Sequence, residues 1–322
     1  MNPQGRGIDA NRGTFVKAAI AAPSSGPTGT GAGTFGWPAA MLYCTVSKAV
    51  FVNEGTLASP YWTPVSFDQR GLICWDTDFV NNVGKAEADI AASADLGTGV
   101  KVAGQGIEVN GDSGLVITNS ELGRIGVLTV TNEVDHTVTL SPAGTSPMLQ
   151  PDTHGPFAVD AHFTNNADIL TRQNFLGFCG SNIEALDPPA TAVTATVSFA
   201  ATVGDDLAGI LMDSRLTLAS RLMCIHDKDN ANATQLVTAA GVNSGYNMPA
   251  AATYGRFRVE VAADGTVRYF FNKTQIGISQ GSVLGGGLEV TEEVSPLLYL
   301  ASTDTVTHGM SVKRFSAWGV RA

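Results

Sequence analysis

Carboxylate side chains are the first candidates for chemistry in this sequence, because a pair of them can act as acid and nucleophile in glycoside hydrolysis. They cluster as Asp205-Asp206, as Asp227-Lys228-Asp229, and as Glu289 with Glu292-Glu293. No cluster has the Glu-x-Asp-x-x-Glu spacing that presents paired carboxylates for a retaining mechanism. We therefore expect no glycosidase centre, and the sequence predicts a protein that is not an enzyme.

Histidine and serine patterns give no catalytic or metal site either. The five histidines are His136, His154, His162, His226 and His308, and none forms an HxxxH or HExxH pair. Such pairs are the usual zinc signature, and no Gly-x-Ser-x-Gly elbow for a nucleophilic serine is present. His162 lies in an alternating strand, so a structural strand histidine is the favoured interpretation. We predict no cofactor and no metal.

One segment offers oxygen ligands at a turn. Asp227, Asp229 and Asn230 could hold calcium or contribute to a glycan site, since carboxylate and amide oxygens suit both. The spacing of a complete calcium loop is missing. The alternative is a solvated turn in which Asp and Asn cap their own backbone, and the incomplete spacing favours it.

Composition and charge narrow the class of protein. The chain has 322 residues, a net charge of −10 and only 15% charged residues, with 36 glycines. Binding to nucleic-acid phosphates requires clustered Lys and Arg, which are absent. No apolar run is long enough to span a bilayer, and the first residues lack a secretory core. We therefore expect no nucleic acid or membrane partner, and assembly in a cytoplasm. Cys44, Cys74, Cys179 and Cys224 are widely spaced, which favours reduced, buried thiols.

Alternating apolar residues predict an all-β body from residue 67 to residue 322. Residues 255–261 and 267–271 alternate on either side of Asp264-Gly265, which predicts a hairpin with a two-residue turn. Strand and turn signals recur about every 8 to 12 residues, a spacing typical of a sandwich or barrel. Further strands are expected at 71–79, 99–102, 106–109, 114–118, 125–131, 136–140, 157–163, 173–179, 192–200, 208–212, 217–226 and 235–239. Helical character is confined to 84–95 and 182–186.

Residues 1–66 have a different composition. The stretch to about residue 36 is rich in Gly, Pro and Ser, so we expect an extended arm that is ordered only against a partner; a floppy leader is the alternative. The predicted partner-binding side chains in this segment are apolar and aromatic: Phe15, Val16, Ile20, Trp37, Tyr43 and Phe51.

Four segments of the body resemble a known fold. They are residues 71–79, residues 157–163 with 174–180, residues 206–229, and the 254–277 hairpin with the closing run 297–320. In this order they resemble the lectin-like jelly roll of the concanavalin A or laminin-G type, in the version found in virion structural proteins of tailed bacteriophages. The resemblance implies a carbohydrate-binding-like scaffold that is used structurally, usually in trimers or other symmetric sets.

The sequence thus predicts a non-enzymatic virion protein on the capsid surface. A decoration or cement protein would anchor to the major capsid protein and to neighbouring copies through residues 1–66, as a homotrimer, and would display a lectin-like head. The alternative is a receptor- or glycan-binding head or tail fibre protein that contacts host-surface glycans. A secreted glycan-active enzyme and a major capsid protein are disfavoured, because their signal peptide, carboxylate pair or long helix is not readable.

Overall fold

A computed structural model of the chain describes its strands and most of their tight connections. The described residues are 16–19, 22–45, 47–66, 72–77, 100–102, 107–111, 116–121, 124–128, 137–142, 149–165, 172–180, 192–194, 198–200, 206–213, 222–227, 245–279, 287–302 and 309–321. Within them, no helix is long and apolar enough to cross a membrane.

Strands account for almost all regular structure in these residues. The first half comprises β1 Val16–Ala19, β2 Met41–Cys44, β3 Val50–Asn53, β4 Trp62–Ser66, β5 Leu72–Thr77, β6 Val100–Val102, β7 Ile107–Gly111, β8 Val116–Glu121, β9 Arg124–Leu128 and β10 Thr137–Pro142. A single helical turn, α1, follows at Pro151–His154. The second half comprises β11 Phe157–Asn165, β12 Arg172–Cys179, β13 Ala192–Thr194, β14 Ser198–Ala200, β15 Leu207–Asp213, β16 Met223–Asp227, β17 Gly255–Val261, β18 Val267–Phe271, β19 Thr274–Ser279, β20 Ser295–Ser302 and β21 Gly309–Val320.

Two large antiparallel sheets form the body. The seven-stranded sheet has the order β16-β15-β12-β20-β10-β7-β6. The eight-stranded sheet has the order β19-β18-β17-β11-β21-β9-β8, and β5 also pairs with β21. The predicted all-β antiparallel sandwich is confirmed by this arrangement. Of the other predicted segments, 192–200 forms two short strands, β13 and β14, whereas 84–95, 182–186 and 235–239 lie outside the described residues.

The main apolar core lies between the two large sheets. Each strand contributes alternate residues, as a period of two requires. From the seven-stranded sheet come Leu176, Phe178, Ile210, Met212, Leu298 and Leu300, and from the eight-stranded sheet come Phe157, Val159, Phe163, Phe257, Val259, Tyr269 and Phe315. Three of the four cysteines are buried and Cys74 is half-buried, and all four are free thiols as predicted.

The β17–β18 hairpin is confirmed, but its turn differs from the prediction. Gly265 N–H donates to the carbonyl of Ala262, and Ala262 N–H donates to Thr266, so the loop has three residues, with Gly265 at a φ of +79°. This is a turn that ends in a left-handed glycine. The two-residue turn joins β18 to β19 instead, where Asn272 and Lys273 both have positive φ.

A third layer covers the outer face of the eight-stranded sheet. Strands β1 to β4 form a sheet in chain order, with β1 parallel to β2. Its apolar face packs on the body through one buried cluster. This cluster combines Leu42, Cys44, Phe51 and Trp62 of the layer with Leu72, Ala158 and Trp318 of the body.

This third layer corrects part of the predicted arm. Residues 22–45 and 47–66 are folded against their own chain and not only against a partner, because their loops form hydrogen bonds there. Gly26 N–H donates to Pro60, and Ser25 N–H donates to Glu260 Oε1 of β17 at 2.8 Å. The boundary after residue 66 and the anchoring role stay predictions. We call residues 22–66 the N-terminal layer.

Candidate functional site

Charged side chains are buried where the N-terminal layer meets the eight-stranded sheet. In β11 the odd-numbered residues Phe157, Val159 and Ala161 point into the core, so Asp160 points outward. The N-terminal layer covers this outward face, and Asp160 is only 2% exposed. A buried carboxylate requires compensating charge and hydrogen bonds. We call Asp160 and the polar residues around it the charged seam.

Four hydrogen bonds from three residues satisfy the Asp160 carboxylate. The Tyr61 hydroxyl donates to Oδ2 at 2.9 Å, and Arg258 Nε donates to the same oxygen at 3.0 Å. Arg256 Nε lies 3.1 Å from both carboxylate oxygens. Tyr61 comes from the N-terminal layer and the arginines come from β17, so Asp160 joins the two parts of the chain.

Arg258 extends the seam into the N-terminal layer. Its Nη1 donates to the backbone carbonyl of Trp62 at 2.6 Å, and its Nη2 donates to Thr63 Oγ1 at 3.1 Å. The guanidinium carbon lies 3.9 Å from the centroid of the Tyr61 ring, within cation–π range. The side chain of this fully buried arginine therefore connects Asp160 to Tyr61 and to β4.

Glu54 closes the seam at the solvent edge. Its carboxylate forms an ion pair with Arg256 Nη1, and Lys273 Nζ lies 3.5 Å from it. Burial alone would raise the pKa of Glu54, but Arg256 and then Lys273 outweigh that effect and lower it. Glu54 therefore stays ionised and holds the turn after β3 against β17.

The seam keeps its charges fixed and is not an acid–base site. Burial would raise the pKa of Asp160, but Arg258 and Arg256 outweigh it and lower the pKa to about 2. Burial raises the pKa of Tyr61 well above its usual value. A general acid or base requires a pKa near the working pH, and neither group has one. The chemistry that the seam supports is therefore attachment.

The sequence did not identify the seam residues as a group. The sequence did show that charged and apolar residues alternate in β17. Arg256 and Arg258 therefore occupy the face opposite Phe257 and Val259. Outward charges in a strand are normally solvated, so this pattern alone predicts an exposed face. The covering layer, which could not be read locally, converts that face into an interface.

The predicted partner-binding residues are separated by the structure. Trp37 is 51% exposed and Tyr43 is half-buried, whereas Phe51 is fully buried and packs edge-on against Trp318 at 5.6 Å. Phe51 therefore serves the chain's own interior, which does not fit the predicted partner contact. Val16 lies in β1 opposite Met41, and Phe15 and Ile20 lie outside the described residues.

The turn that carries Trp37 is held in place by Asn53. The Asn53 amide donates to the carbonyl oxygens of Gly36 and Trp37, at 2.5 and 3.2 Å. Its Oδ1 accepts the backbone N–H of Gly55 and of Tyr61. Trp37 thus presents an exposed indole on a fixed backbone.

The predicted glycan or calcium segment is described only at its start. Asp227 ends β16 and pairs with Leu207, whereas Asp229 and Asn230 lie outside the described residues. Among the described residues, no group of three or more His, Cys, Asp or Glu side chains could hold a metal. Two of the acidic clusters are in contact, but their carboxylates are not paired. The Asp206 carboxylate accepts a hydrogen bond from the backbone N–H of Glu289.

The histidines in the described residues occupy structural or half-buried positions. His226 is 5% exposed, and burial lowers its pKa to about 4, so it is neutral near pH 7. His154 Nδ1 accepts the backbone N–H of Gln150. His162 stands half-buried in β11 beside Tyr254, as a strand histidine should.

The outward face of the seven-stranded sheet is apolar and buried in its described part. In β12, Phe175 and Gly177 alternate with the core residues Leu176 and Phe178, and Phe175 is 0% exposed. The neighbouring outward positions are equally closed: Leu207, Leu211, Ile225, Leu297 and Tyr299 are at most 1% exposed. These positions therefore offer no open surface for stacking a sugar.

Comparisons with known proteins show similarity of structure only. No protein-family model matches the chain, and no curated protein matches it in sequence. A protein of unknown function, SO2946 from Shewanella oneidensis, is similar over 78% of this chain and 87% of its own, with 10% identity and a TM-score of 0.49. The carbohydrate recognition domain of Emp47p covers 80% of this chain and all of its own, at 12% identity and a TM-score of 0.44. Arcelin-5, a lectin-like defense protein from Phaseolus vulgaris, is similar over 77% of this chain and 98% of its own, with 10% identity and a TM-score of 0.41. The fold assignment rests on the chain's own sheets.

Proposed function

We propose that this chain is a non-enzymatic structural protein of a virion, a capsid decoration protein that binds the major capsid protein through residues 1–66. The β-sandwich is then the displayed head, and neighbouring copies form a symmetric set. The identity of the partner comes from the sequence resemblance to phage virion proteins. The location of the docking surface is supported by the exposure of two apolar side chains.

The observation that carries the docking surface is the distribution of exposed apolar side chains. Among the described residues, the two most exposed large ones are Val65 at 52% and Trp37 at 51%, and both belong to the N-terminal layer. A contiguous apolar patch on a surface often marks a protein contact, and these two side chains are the ones in the N-terminal layer that could contribute to such a patch. A tryptophan is also among the residues that most often dominate binding energy.

The charged seam supports the same proposal, because a segment that anchors the protein to a shell must itself be firmly attached to the β-sandwich. Asp160, Arg256 and Arg258 connect the N-terminal layer to strands at the centre of the eight-stranded sheet. A partner that binds the layer is thereby attached to the whole body.

Binding to capsid shells tests the proposal. Shells assembled from the major capsid protein alone are sedimented with the purified chain, with Trp37→Ser, and with Tyr246→Ser as the matched control. Tyr246 is also an exposed aromatic, at 38%, but lies outside the N-terminal layer. We expect Trp37→Ser to weaken binding by about tenfold or more and Tyr246→Ser to bind as the parent does. Equal binding by Trp37→Ser, or no binding by the parent chain, would refute the docking surface.

A second experiment separates the leader from the layer. A chain that lacks residues 1–21 loses the edge strand β1 but retains β2 to β4 and their contacts with the body, so it should keep the rest of its fold. If this truncated chain still binds shells, docking is a property of the layer itself. If it is folded but does not bind, the contact lies in the first 21 residues.

A glycan-binding head is the second candidate, because an exposed indole is also a surface on which a pyranose ring can stack. Trp37 is the observation that favours it. A glycan array with the parent chain and with Trp37→Ser distinguishes the two. Glycan signals that disappear in Trp37→Ser would favour the receptor-binding head over the decoration protein.

A further inference from the structure

A β-bulge in β21 places two basic residues side by side on the outer face of the eight-stranded sheet. His162 of β11 pairs with Arg314, whereas the next residue, Phe163, pairs with Val312, so Lys313 is the extra residue. Val312 and Phe315, on either side, belong to the core. A bulge redirects side chains in this way, and it leaves Lys313 exposed and Arg314 half-exposed.

An aromatic ring forms the floor beside this bulge. Lys313 Nζ lies 3.9 Å from the centroid of the Tyr254 ring. The His162 ring packs against the same tyrosine, with centroids 5.3 Å apart and an interplanar angle of 67°. The Lys313 ammonium group and the His162 imidazole thus contact the same aromatic ring.

The ion pairs of the neighbouring seam do not include Lys313. Within the described residues, they join Arg256, Arg258 and Lys273 to Asp160 and Glu54. Lys313 adds an exposed ammonium group beside them, in a chain whose net charge is −10. A local excess of positive charge on an acidic protein is a feature that selects anions.

From this geometry we propose that Lys313 and His162, beside Tyr254, bind a single oxyanion group of a ligand, such as a carboxylate, sulfate or phosphate. The Lys313 ammonium supplies the charge and up to three donors, and the imidazole supplies one N–H when neutral and two when protonated. The Tyr254 ring supports the apolar part of the ligand beside the anion. The site lies on the body next to the seam and does not depend on the capsid proposal.

The titration of His162 provides the readout. Burial and then Lys313 lower the pKa of His162, Asp160 raises it, and Arg256 lowers it. Arg314 is its cross-strand neighbour in β21, and Glu54 reaches this region through Arg256. A bound oxyanion stabilises the imidazolium, so it should raise the pKa of His162. An anion whose own charge is constant over this pH range, such as sulfate, should bind more tightly as the pH falls.

Inorganic phosphate is the first probe, added at constant ionic strength while the His162 ring resonances are followed by NMR over a pH series. His162→Gln assigns those resonances. Lys313→Met removes the ammonium but keeps the aliphatic chain over Tyr254, and Lys48→Met removes the same charge from an exposed turn of the N-terminal layer. We expect phosphate to raise the pKa of His162, and Lys313→Met to weaken phosphate binding by about tenfold. Lys48→Met should bind phosphate as the parent does.

Two results would overturn the site. One is a His162 pKa that phosphate leaves unchanged, and the other is an equal loss of binding in Lys48→Met and Lys313→Met, which would show general charge attraction only. Acetate, tested in the same way, assigns the preferred anion: a stronger response than to phosphate points to carboxylate ligands, and a weaker one to tetrahedral oxyanions.

Discussion

Asp160 is the residue on which the attachment of the N-terminal layer depends most. It accepts hydrogen bonds from Tyr61 on one side and from Arg256 and Arg258 on the other. Its own substitution would leave two arginines at a buried position without their shared counter-charge. Removing one partner of a buried ion pair is far more costly than removing an exposed ion pair.

Asp160→Asn should therefore lower the free energy of unfolding by about 3 kcal/mol or more. Asp152→Asn is the matched control, because Asp152 is an exposed carboxylate that accepts a hydrogen bond from the hydroxyl of its neighbour Thr153. The control should change stability by less than about 0.5 kcal/mol. Urea denaturation followed by tryptophan fluorescence measures both, and an equal, small effect of the two substitutions would contradict the role of the seam.

The pH dependence of stability follows from the same carboxylate. The pKa of Asp160 is lowered from 3.8 to about 2 in the folded chain, so folding favours its ionised form. Its stabilisation is complete above about pH 5 and is lost as the pH falls through about 2, with a magnitude of about 2 kcal/mol. The stability difference between the parent chain and Asp160→Asn should shrink over that interval. A difference that stays constant from pH 6 to pH 2 would contradict this assignment.

The burial of single residues could be predicted from the sequence where it depends only on neighbouring residues in the chain. The alternation that placed Phe257, Val259 and Val261 on one face is confirmed by their burial, because a strand fixes side-chain direction by itself. Phe51 was predicted to contact a partner, yet it is buried against Trp318, about 270 residues away in the chain. A contact over such a separation leaves no local signal.

Strand β17, its turn and strand β18 show how an element combines local and tertiary signals. Asp264-Gly265 predicted the hairpin correctly, but the loop has three residues because Gly265 alone adopts positive φ there. The backbone of Leu288 also donates to the Gly265 carbonyl at 3.1 Å. Leu288, which binds the turn, therefore lies outside the hairpin, and the sequence of the hairpin alone does not reveal this contact.

Gly265→Ala tests this arrangement. The added Cβ would overlap the carbonyl oxygen of Leu288, and the φ of +79° is strained for alanine. Gly33→Ala is the matched control, because Gly33 has a φ of +69° and no atom within 4 Å of the added Cβ. We expect a loss of about 1 kcal/mol for Gly33→Ala from strain alone and clearly more for Gly265→Ala. Thermal unfolding of both variants measures the difference, and equal losses would contradict the Leu288 contact.

The whole molecule differs from its prediction mainly in the N-terminal layer. The composition of residues 22–36 is that of a disordered arm, but its polar groups are satisfied by the chain itself. Thr30 accepts from the Trp62 indole at 3.0 Å, and the Ser25 hydroxyl accepts from Trp62 N–H at 3.0 Å. Composition measures only what a segment can bury alone. The composition of a segment carries no information about a surface that the rest of the chain provides for it.

The all-β sandwich was predictable because many short alternating strands specify it repeatedly. The charged seam was not, since its parts come from residues 54, 61, 160, 256 and 258, which are far apart in the sequence and belong to two different layers. It exists only once three layers are stacked. Attachment through the seam is therefore a property of the assembled chain and of no single motif.

Native-state hydrogen exchange of the full chain tests directly whether the N-terminal layer is part of the body. Amides of β3 and β4 should exchange only through global unfolding, at rates within about tenfold of those in β11 and β17. Amides of β3 and β4 that exchange about a thousandfold faster than those of β11 would show a layer that opens by itself, and would contradict the account.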